Sequence, residues 1–481
     1  MPKLFYILLF LALPLSAQIN VVPQPNEITY HKGTCPISTK ISYIQDKSIN
    51  NPEGYQLIIK PNQIIIKFAT EAGKFYAEQT FNQLVFGAEV THKKSLPCLT
   101  ITDAPRFAYR ALMIDPARHY WKIDDIKKYI DVMAHYKFNY LHLHLTDDQG
   151  WRIEIKKYPK LTEIGSKRSD FEGSKRNNEG FYTQEQIKDL VLYALQRNVQ
   201  LVPEFDVPGH SDAAIAAYPF LSCNDTLIGV RTTAGVSKNL LCVGKEEVFT
   251  FIDDVITELS AIFPCPYFHI GGDEAPMDKW LEHSPTLKLK QSLHTTNNQQ
   301  LMSEFFKRVN QSLEKNHKRP LIWLELEVPS YPQNSVMYLW RMRTTPQVLE
   351  RAKKDNFKLI CSPGEYAYFD YPQAKNDLPN VDWMPTLTLQ RVYEFNPAFS
   401  LTAEEEKQYI LGVEATLWGE SVKDVFRAFY MTYPRALALS EAGWTEMPKR
   451  DWQQFTQKLD LQLQYLLHKG INYRPPVELH Q

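Results

Sequence analysis

The chain has 481 residues, of which 54 are basic and 55 acidic, so its formal net charge is −1 at pH 7. Because no basic stripe is visible and the 13 histidines are scattered, this balance argues against a nucleic-acid-binding protein. Hydrophobic residues make up 44% of the chain, which excludes a disordered tail protein. The length exceeds what one hydrophobic core usually carries, so we expect two domains.

The first residues are typical of a signal peptide for export. Lys3 is followed by an apolar run over residues 4–15, and Ala17 ends the segment on a small side chain. The run is too short to span a bilayer, although a retained anchor is the alternative. We therefore expect residues 1–17 to be removed. The mature chain is predicted to act in the periplasm or outside the cell, with no stable membrane span.

Residues 18–105 are predicted to form a small α+β domain. Two strand-like runs, Tyr55–Ile59 and Gln63–Phe68, are separated by a short turn, and a helix is predicted over Gly73–Leu84. This domain carries no obvious cluster of chemically active side chains.

Residues 106–481 alternate between strands and amphipathic helices. The strands are predicted at Tyr109–Ile114, Tyr140–Leu145, Gln200–Phe205, Tyr267–Gly271, Pro320–Leu324, Ser335–Trp340, Lys358–Cys361 and Ile410–Leu417. The clearest helices are predicted at Asp124–His135, Thr183–Gln196, Lys245–Ile262, Asn297–Asn316 and Thr345–Lys354. Eight strands in this alternation indicate an α/β fold of the (β/α)8 TIM-barrel type. A doubly wound open sheet is disfavoured, because no Gly-rich phosphate turn follows the first strand.

Functional residues of such a barrel lie at the C-terminal ends of its strands. Polar or aromatic side chains follow the predicted strands at that end. They are Asp115 and Arg118, Asp147 and Asp148, Asp206 and His210, Asp273 and Glu274, and Trp418 and Glu420. One site at this face of the barrel is therefore expected.

The segment with the strongest chemical signal contains the adjacent carboxylates Asp273 and Glu274. Neighbours at a strand end normally point to opposite faces, so both reach one cavity only where the backbone is irregular, and Gly271 and Gly272 allow that. The alternative is that one carboxylate caps the next helix while the other is solvated.

Adjacency also limits the mechanism. Two carboxylates that flank a glycosidic bond must lie about 5 Å apart or more on opposite sides, and neighbours in sequence are poorly placed for that. They suit a division of labour in which Glu274 is a general acid and Asp273 orients a nucleophile of the substrate itself. Hydrolysis assisted by a 2-acetamido group is chemistry of this type.

Several ordered motifs carry a resemblance to a known family. They are Tyr109-Arg-Ala-Leu-Met-Ile-Asp-Pro-Ala-Arg-His-Tyr120, Asn139-Tyr-Leu-His-Leu-His-Leu-Thr-Asp-Asp-Gln-Gly-Trp-Arg152, Pro203-Glu-Phe-Asp-Val-Pro-Gly-His210 and Gly271-Gly-Asp-Glu274. The sequence resembles the family 20 glycoside hydrolases, the β-N-acetylhexosaminidases, up to about Trp444. The segment Ile322–Glu327 departs from the Trp-Asp-Glu-like pattern expected there.

The resemblance implies an exo-acting enzyme that needs no cofactor or metal and removes terminal N-acetylhexosamine from glycans with retention. Glu274 would be the acid and base, and Asp273 would hold the acetamido nitrogen while an oxazolinium forms. Tyr368 would bind the acetamido carbonyl, with Tyr366 as a rival for that role. The substrate-binding residues implied are Arg110, Asp206, His210, Trp340, Asp370, Trp383, Trp418 and Glu420.

Two other functions remain open from the residues alone. His142 and His144 share one face of a strand, and with His210, His269 and Asp273 they could hold a metal for amide hydrolysis. The other alternative is a sugar-binding relative without catalysis, which the intact pair of carboxylates disfavours.

Six cysteines suit an oxidising compartment, and their spacing contains no CxxC, which argues against a zinc site. Cys223 and Cys242 are the best candidates for a disulfide, because they flank a short polar stretch. The other four are predicted to be buried thiols.

Overall fold

The computed structural model describes residues 19–169, 179–379, 381 and 384–476. The predicted signal peptide and Trp383 lie outside this part of the chain. The described residues divide into two compact units, the first built mainly from Pro25–Asp103 and the second mainly from Ala104–Thr456. Within the described residues, no helix combines the length and apolar character needed to cross a bilayer.

The first unit is a five-stranded sheet with one helix. Its elements are β1 (Glu27–Pro36), β2 (Ile41–Gln45), β3 (Tyr55–Lys60), β4 (Gln63–Phe68), α1 (Glu71–Val90) and β5 (Ser95–Asp103). The strand order is β1-β5-β3-β4-β2, and only the β2–β4 pair is parallel. Alternate residues of β3 are buried against α1, as the period of two predicts. The predicted strands and helix are present, and the helix is longer than expected.

The second unit is a closed barrel of eight parallel strands, which confirms the predicted (β/α)8 architecture. Its strands are β6 (Tyr109–Ile114), β7 (Tyr140–His144), β10 (Gln200–Glu204), β11 (Tyr267–His269), β12 (Arg319–Trp323), β13 (Val336–Leu339), β14 (Lys358–Cys361) and β15 (Ile410–Ala415). A hairpin of β8 (Thr146–Asp147) and β9 (Gly150–Trp151) follows β7. Every predicted barrel strand has its counterpart.

Helices connect and follow the barrel strands. They are α2 (Ile123–His135), α3 (Lys160–Glu163), α4 (Gln184–Leu195), α5 (Asp212–Ala217), α6 (Glu246–Ile262), α7 (Asp278–Leu281), α8 (Ser284–Ser292), α9 (Gln300–Lys315), α10 (Thr345–Asp355), α11 (Gly364–Ala367), α12 (Leu389–Tyr393), α13 (Ala403–Tyr409), α14 (Val425–Thr432), α15 (Arg435–Trp444) and α16 (Trp452–His468). The longer ones are amphipathic: α9 buries Phe305, Val309 and Leu313 on one face.

The barrel interior carries charged groups. The carboxylate of Glu204 is fully buried and lies 3.1 Å from Nε2 of His142, and it also contacts Nδ1 of His144. Glu414 accepts hydrogen bonds from Nδ1 of His142 at 2.9 Å and from the Tyr338 hydroxyl at 2.8 Å. Burial alone would lower the pKa of His142, but Glu414 and Glu204 outweigh it and raise the pKa to about 9. The interior is therefore held by paired charges.

A disulfide closes one loop of the barrel unit. Cys223 and Cys242, the pair that the sequence favours, are bonded to each other across a separation of 19 residues. The other four cysteines are free and buried. Such a link restrains the unfolded chain more than the folded one.

We expect the disulfide to contribute about 3 kcal/mol to the free energy of unfolding, from the loop length that it closes. Replacing both Cys223 and Cys242 by Ser should lower the urea midpoint, and reductant should lower the midpoint of the natural chain by a similar amount. The doubly substituted variant is the control, because reductant should leave it unchanged. A natural chain that is insensitive to reductant would contradict a structural role for this bond.

Candidate active site

A cavity of about 220 Å³ lies at the C-terminal ends of the barrel strands. The sequence-predicted residues in its walls are Asp206, His210, Asp273, Glu274, Trp340, Tyr368, Asp370, Trp418 and Glu420. Arg118 and Asp147, which the strand-end rule places at this face, line it as well, although no role was assigned to them. Tyr371 also lines the cavity, and no sequence pattern points to it, because it lies in a loop.

The two adjacent carboxylates follow β11 on an irregular loop. Gly271, Gly272 and Glu274 have φ values of 60°, 95° and 46°, so the chain leaves the extended conformation after only three strand residues. The Asp273 side chain is 9% exposed and that of Glu274 34%. The next helix, α7, has no side-chain cap. Neither carboxylate is therefore a helix cap, and only Glu274 reaches into open space.

Glycine is required at both turns of this loop. A Cβ on Gly271 would lie 1.7 Å from Oδ1 of Asp206, and a Cβ on Gly272 would lie 2.6 Å from the Phe306 ring. The positive φ angles would strain any other residue as well. The close approach lets the backbone N–H of Gly272 donate to Asp206 at 3.2 Å.

His210 lies behind both carboxylates. Its Nε2 is 3.7 Å from Oε2 of Glu274 and 3.9 Å from Oδ2 of Asp273. Its Nδ1 is hydrogen-bonded to Oδ1 of Asp147 at 3.2 Å. Asp147 is therefore the hydrogen-bond partner of this imidazole. Burial lowers the pKa of His210, but Asp147 and Asp206 outweigh it and hold the pKa well above its usual value.

Asp147 in turn is fixed by cations on three sides. Besides His210, its carboxylate accepts from Nη2 of Arg118 at 2.8 Å and bonds with Nε2 of His144 at 2.7 Å. Burial opposes the charge, but Arg118, His210 and His144 together lower the pKa of Asp147. This residue stays ionised and orients the imidazole of His210.

Burial raises the pKa of two carboxylates that face the cavity. Burial is the largest influence on Asp273, and although His210 opposes it, Glu274 adds to it, so the pKa rises to about 7. Burial and Asp273 also hold the pKa of Asp206 well above its usual value. Like charges confined in one dry pocket cannot all ionise together. Such perturbed groups in a cleft are characteristic of catalytic sites.

The opposite wall is built by the segment that follows α11. The buried Arg435 of α15 donates to the carbonyls of Phe369 at 2.5 Å and Tyr371 at 3.0 Å, which fixes this segment. The Tyr368 hydroxyl and Oδ1 of Asp370 are buried and make no hydrogen bond of ordinary geometry with the described residues. Buried polar atoms of this kind call for a partner, and a ligand in the cavity can supply it.

Tyr366 is not part of the cavity. Its ring stacks on Phe395 with centroids 5.0 Å apart, and the Arg391 guanidinium covers it at 4.1 Å. Of the two tyrosines that the sequence left as rivals, Tyr368 is the one placed in the wall.

Tryptophans form the apolar part of the site. Trp340 and Trp418 line the cavity, and Trp323 packs behind both, with ring centroids 6.3 Å and 5.8 Å away. Asp115 holds the Trp418 loop in place, because it accepts the backbone N–H of Gly419 at 2.8 Å. No sequence pattern points to Trp323 as part of this wall.

Arg110 lies outside the site, and its predicted contact with sugar hydroxyls is wrong. It is the second residue of β6, at the N-terminal end of the barrel, and is 1% exposed. Its guanidinium donates to the carbonyls of Lys137 at 2.8 Å and Phe107 at 2.7 Å. Arg118, beyond the other end of the same strand, is the arginine of the cavity. Its Nη2 is 3.7 Å from Oε1 of Glu420.

Of the histidines in the metal alternative, His142, His144 and His269 lie in the barrel interior, whereas His210 lines the cavity. His142 and His144 are 0% exposed, and carboxylates contact both ring nitrogens of each. A catalytic metal needs an open coordination position that the substrate can reach. These two positions do not offer one, since neither side chain lines the cavity.

The model of the glycosyl hydrolase family 20 catalytic domain matches residues 107–447, and that of domain 2 of the same family matches residues 39–104. The chain belongs to glycosyl hydrolase family 20. The resemblance in the sequence is thereby confirmed, together with the prediction of an enzyme of this family.

Relatives of this family 20 hydrolase cover nearly its whole length. A β-hexosaminidase of Akkermansia muciniphila is 38% identical over 95% of this chain and 92% of its own. A solved β-N-acetylhexosaminidase superposes with a TM-score of 0.89 at 37% identity, over 94% of this chain and 96% of the other. The exo-β-N-acetylglucosaminidase of Vibrio harveyi, solved with N-acetylglucosamine, gives 0.85 at 30% identity over 95% and 78%.

The family 20 site should destabilise the folded chain as the pH rises. Burial and Glu420 raise the pKa of Asp370 to about 8, whereas in an unfolded chain it is about 4. Folding therefore favours the neutral carboxyl, and this stability is present below the lower value and lost as the pH rises towards the higher one. Asp370→Asn should match the natural chain in Tm near pH 4 and exceed it by about 2 °C or more at pH 8.

Thermal unfolding across this pH range measures the difference. Asp189→Asn is the matched control, because Asp189 is exposed on α4 and should give no pH-dependent difference. A Tm difference for Asp370→Asn that is the same at every pH would contradict the raised pKa.

Proposed function

We propose that this family 20 hydrolase removes terminal, non-reducing β-linked N-acetylhexosamine residues from glycans, with retention, through assistance by the substrate's own acetamido group. The observation that carries the proposal is the placement of Asp273 and Glu274. They are neighbours on one loop, one buried and one reaching into the cavity, so they cannot flank a bond from opposite sides. Relatives named β-hexosaminidase support the same activity.

Glu274 acts as general acid in the first step. It donates its proton to the glycosidic oxygen as the bond to the anomeric carbon breaks, and the acetamido carbonyl oxygen attacks that carbon. Asp273 accepts the acetamido N–H and stabilises the positive charge of the oxazolinium that forms. Glu274 then takes a proton from water, which attacks the anomeric carbon and opens the ring. Two displacements leave the configuration unchanged.

The remaining side chains hold the sugar. Tyr368 donates its hydroxyl proton to the acetamido carbonyl, and Trp340 and Trp418 pack on the apolar faces of the sugar and its methyl group. Arg118, Asp370 and Glu420 bind the ring hydroxyls, and the small volume of the cavity limits cleavage to the chain end. His210, held by Asp147, sets the electrostatic environment of Glu274.

The two alternatives are not favoured. A metal-dependent amidohydrolase would leave Glu274 and the tryptophans without a role, and it needs His142 and His144 at an accessible position. A non-catalytic sugar-binding protein would have no use for a buried Asp273 beside a partly exposed Glu274. We further propose, from the first 17 residues, that the enzyme is exported and meets its glycan substrates outside the cytoplasm.

The decisive experiment compares 4-nitrophenyl β-N-acetylglucosaminide with the plain β-glucoside, each with and without a chelator. We expect turnover of the acetamido sugar alone, with no effect of the chelator. Turnover of both sugars would contradict substrate assistance, because the plain glucoside has no acetamido group. Activity that disappears with the chelator would restore the metal-dependent alternative.

A variant series tests the role of Glu274. Glu274→Gln should lose about 100-fold or more in kcat/KM on chitobiose, whose leaving group needs protonation. The loss on an aryl glycoside with an activated leaving group should be far smaller. Equal losses on both substrates would contradict the general-acid role.

Asp273→Asn is the matched partner of this variant. Because the acetamido nucleophile is needed whatever group leaves, it should slow both substrates to a similar extent. Normal rates in Asp273→Asn would remove substrate assistance from the mechanism.

A further inference from the structure

A second cavity, of about 470 Å³, adjoins the site. Glu274 lines both this cavity and the 220 Å³ cavity of the site, which we call the sugar cavity, so its carboxylate lies at the boundary between them. The other charged side chains in its walls are Glu325, Glu327 and Arg341. We call it the acidic cavity.

The charges of its walls leave it with a negative excess. Arg341 binds Glu325 through two hydrogen bonds, at 2.6 Å and 2.9 Å, so the guanidinium is already neutralised within the wall. Glu327 is exposed and forms no ion pair with any described residue. An anion entering here would meet the unpaired charge of Glu327 without a free cation to balance it.

The same cavity offers apolar surface to an uncharged ligand. The exposed side chain of Val236 contributes to its walls, and the Arg341 guanidinium lies over the Trp340 ring at 4.4 Å. Because Arg341 lines this cavity and Trp340 lines the sugar cavity, this packed pair forms a surface that the two cavities share. A ring bonded to the sugar at Glu274 would rest on this surface.

We propose that the acidic cavity receives the leaving group and selects neutral or cationic leaving groups over anionic ones, chiefly through Glu327. The inference rests on the proposed function, because the acid must lie within hydrogen-bond reach of the bond that it cleaves. With the sugar held beside Tyr368 and Trp418, the leaving group bonded to the glycosidic oxygen extends past Glu274 into the acidic cavity. Glu327 thus determines specificity without taking part in the chemistry.

The test uses three disaccharides in which β-N-acetylglucosamine is linked to O4 of different sugars. The leaving sugars are N-acetylglucosamine, which is neutral, glucosamine, which is cationic below the pKa of its amine, and glucuronic acid, which is anionic. We expect kcat/KM for the anionic disaccharide to be about tenfold below that for the neutral one at low salt. Added salt should narrow the difference, since it screens exposed charges.

Substitution at Glu327 should change this preference without changing the basal activity. Glu327→Gln should raise the anionic-to-neutral ratio of kcat/KM about threefold, and Glu327→Lys about tenfold, while hydrolysis of 4-nitrophenyl β-N-acetylglucosaminide stays the same. Glu404→Lys is the matched control. Glu404 is exposed on α13, the helix that leads into the N-terminal end of β15, on the far side of the barrel from the site.

The outcomes separate the two proposals. If the natural chain cleaves neither the neutral disaccharide nor the aryl glycoside, the proposed function fails. If it cleaves both, and the ratio in Glu327→Lys equals that of the natural chain and of Glu404→Lys, the acidic cavity does not select leaving groups. A preference for the anionic disaccharide in the natural chain would overturn the inference as well.

Discussion

The carboxylate of Asp147 is the point on which the site depends. It is fully buried, yet it holds the arginine of the sugar cavity, the imidazole behind the acid and a histidine of the barrel interior, and all three contacts are at 3.2 Å or less. Removing one partner of a buried charge network typically costs about 3–5 kcal/mol, because the remaining charges stay buried and unpaired. The positions of Arg118 and His210 are therefore set by one anion. Because His210 lies 3.7 Å from Glu274, the same anion also influences the electrostatic environment of Glu274.

Around this ionised group, burial disfavours the charged form of three other carboxylates of the site. Burial raises the pKa of Asp206, Asp273 and Asp370, which shows that desolvating these carboxyl groups costs the folded chain free energy. In the proposed mechanism, the N–H and O–H groups of the sugar donate to these oxygens and offset part of this cost. The empty site therefore lowers the stability of the fold relative to a site lined by apolar residues.

Much of this arrangement can be read from the sequence, and the parts that cannot have a physical reason. Strand positions follow from apolar runs of the right length, and the barrel rule then places Asp273 and Glu274 at one face. The role given to Arg110 was wrong because a motif identifies the residue type but not which end of the barrel its side chain lies at. Arg110 lies at the N-terminal end of β6, and Arg118 lies beyond its C-terminal end. The bond between Asp147 and His210 joins residues 63 apart, and no spacing rule reveals it.

The charged interior of the barrel also constrains how this chain can change. The side chains form a fully buried network of paired charges over His142, His144, Glu204 and Glu414, so replacing any one of them leaves its partners uncompensated. Substitutions here are tolerated only when partners change together, for example when a histidine and its carboxylate are both exchanged for apolar residues of similar volume. We therefore expect this interior to accept changes only as a unit, whereas the surface and loops can change one residue at a time.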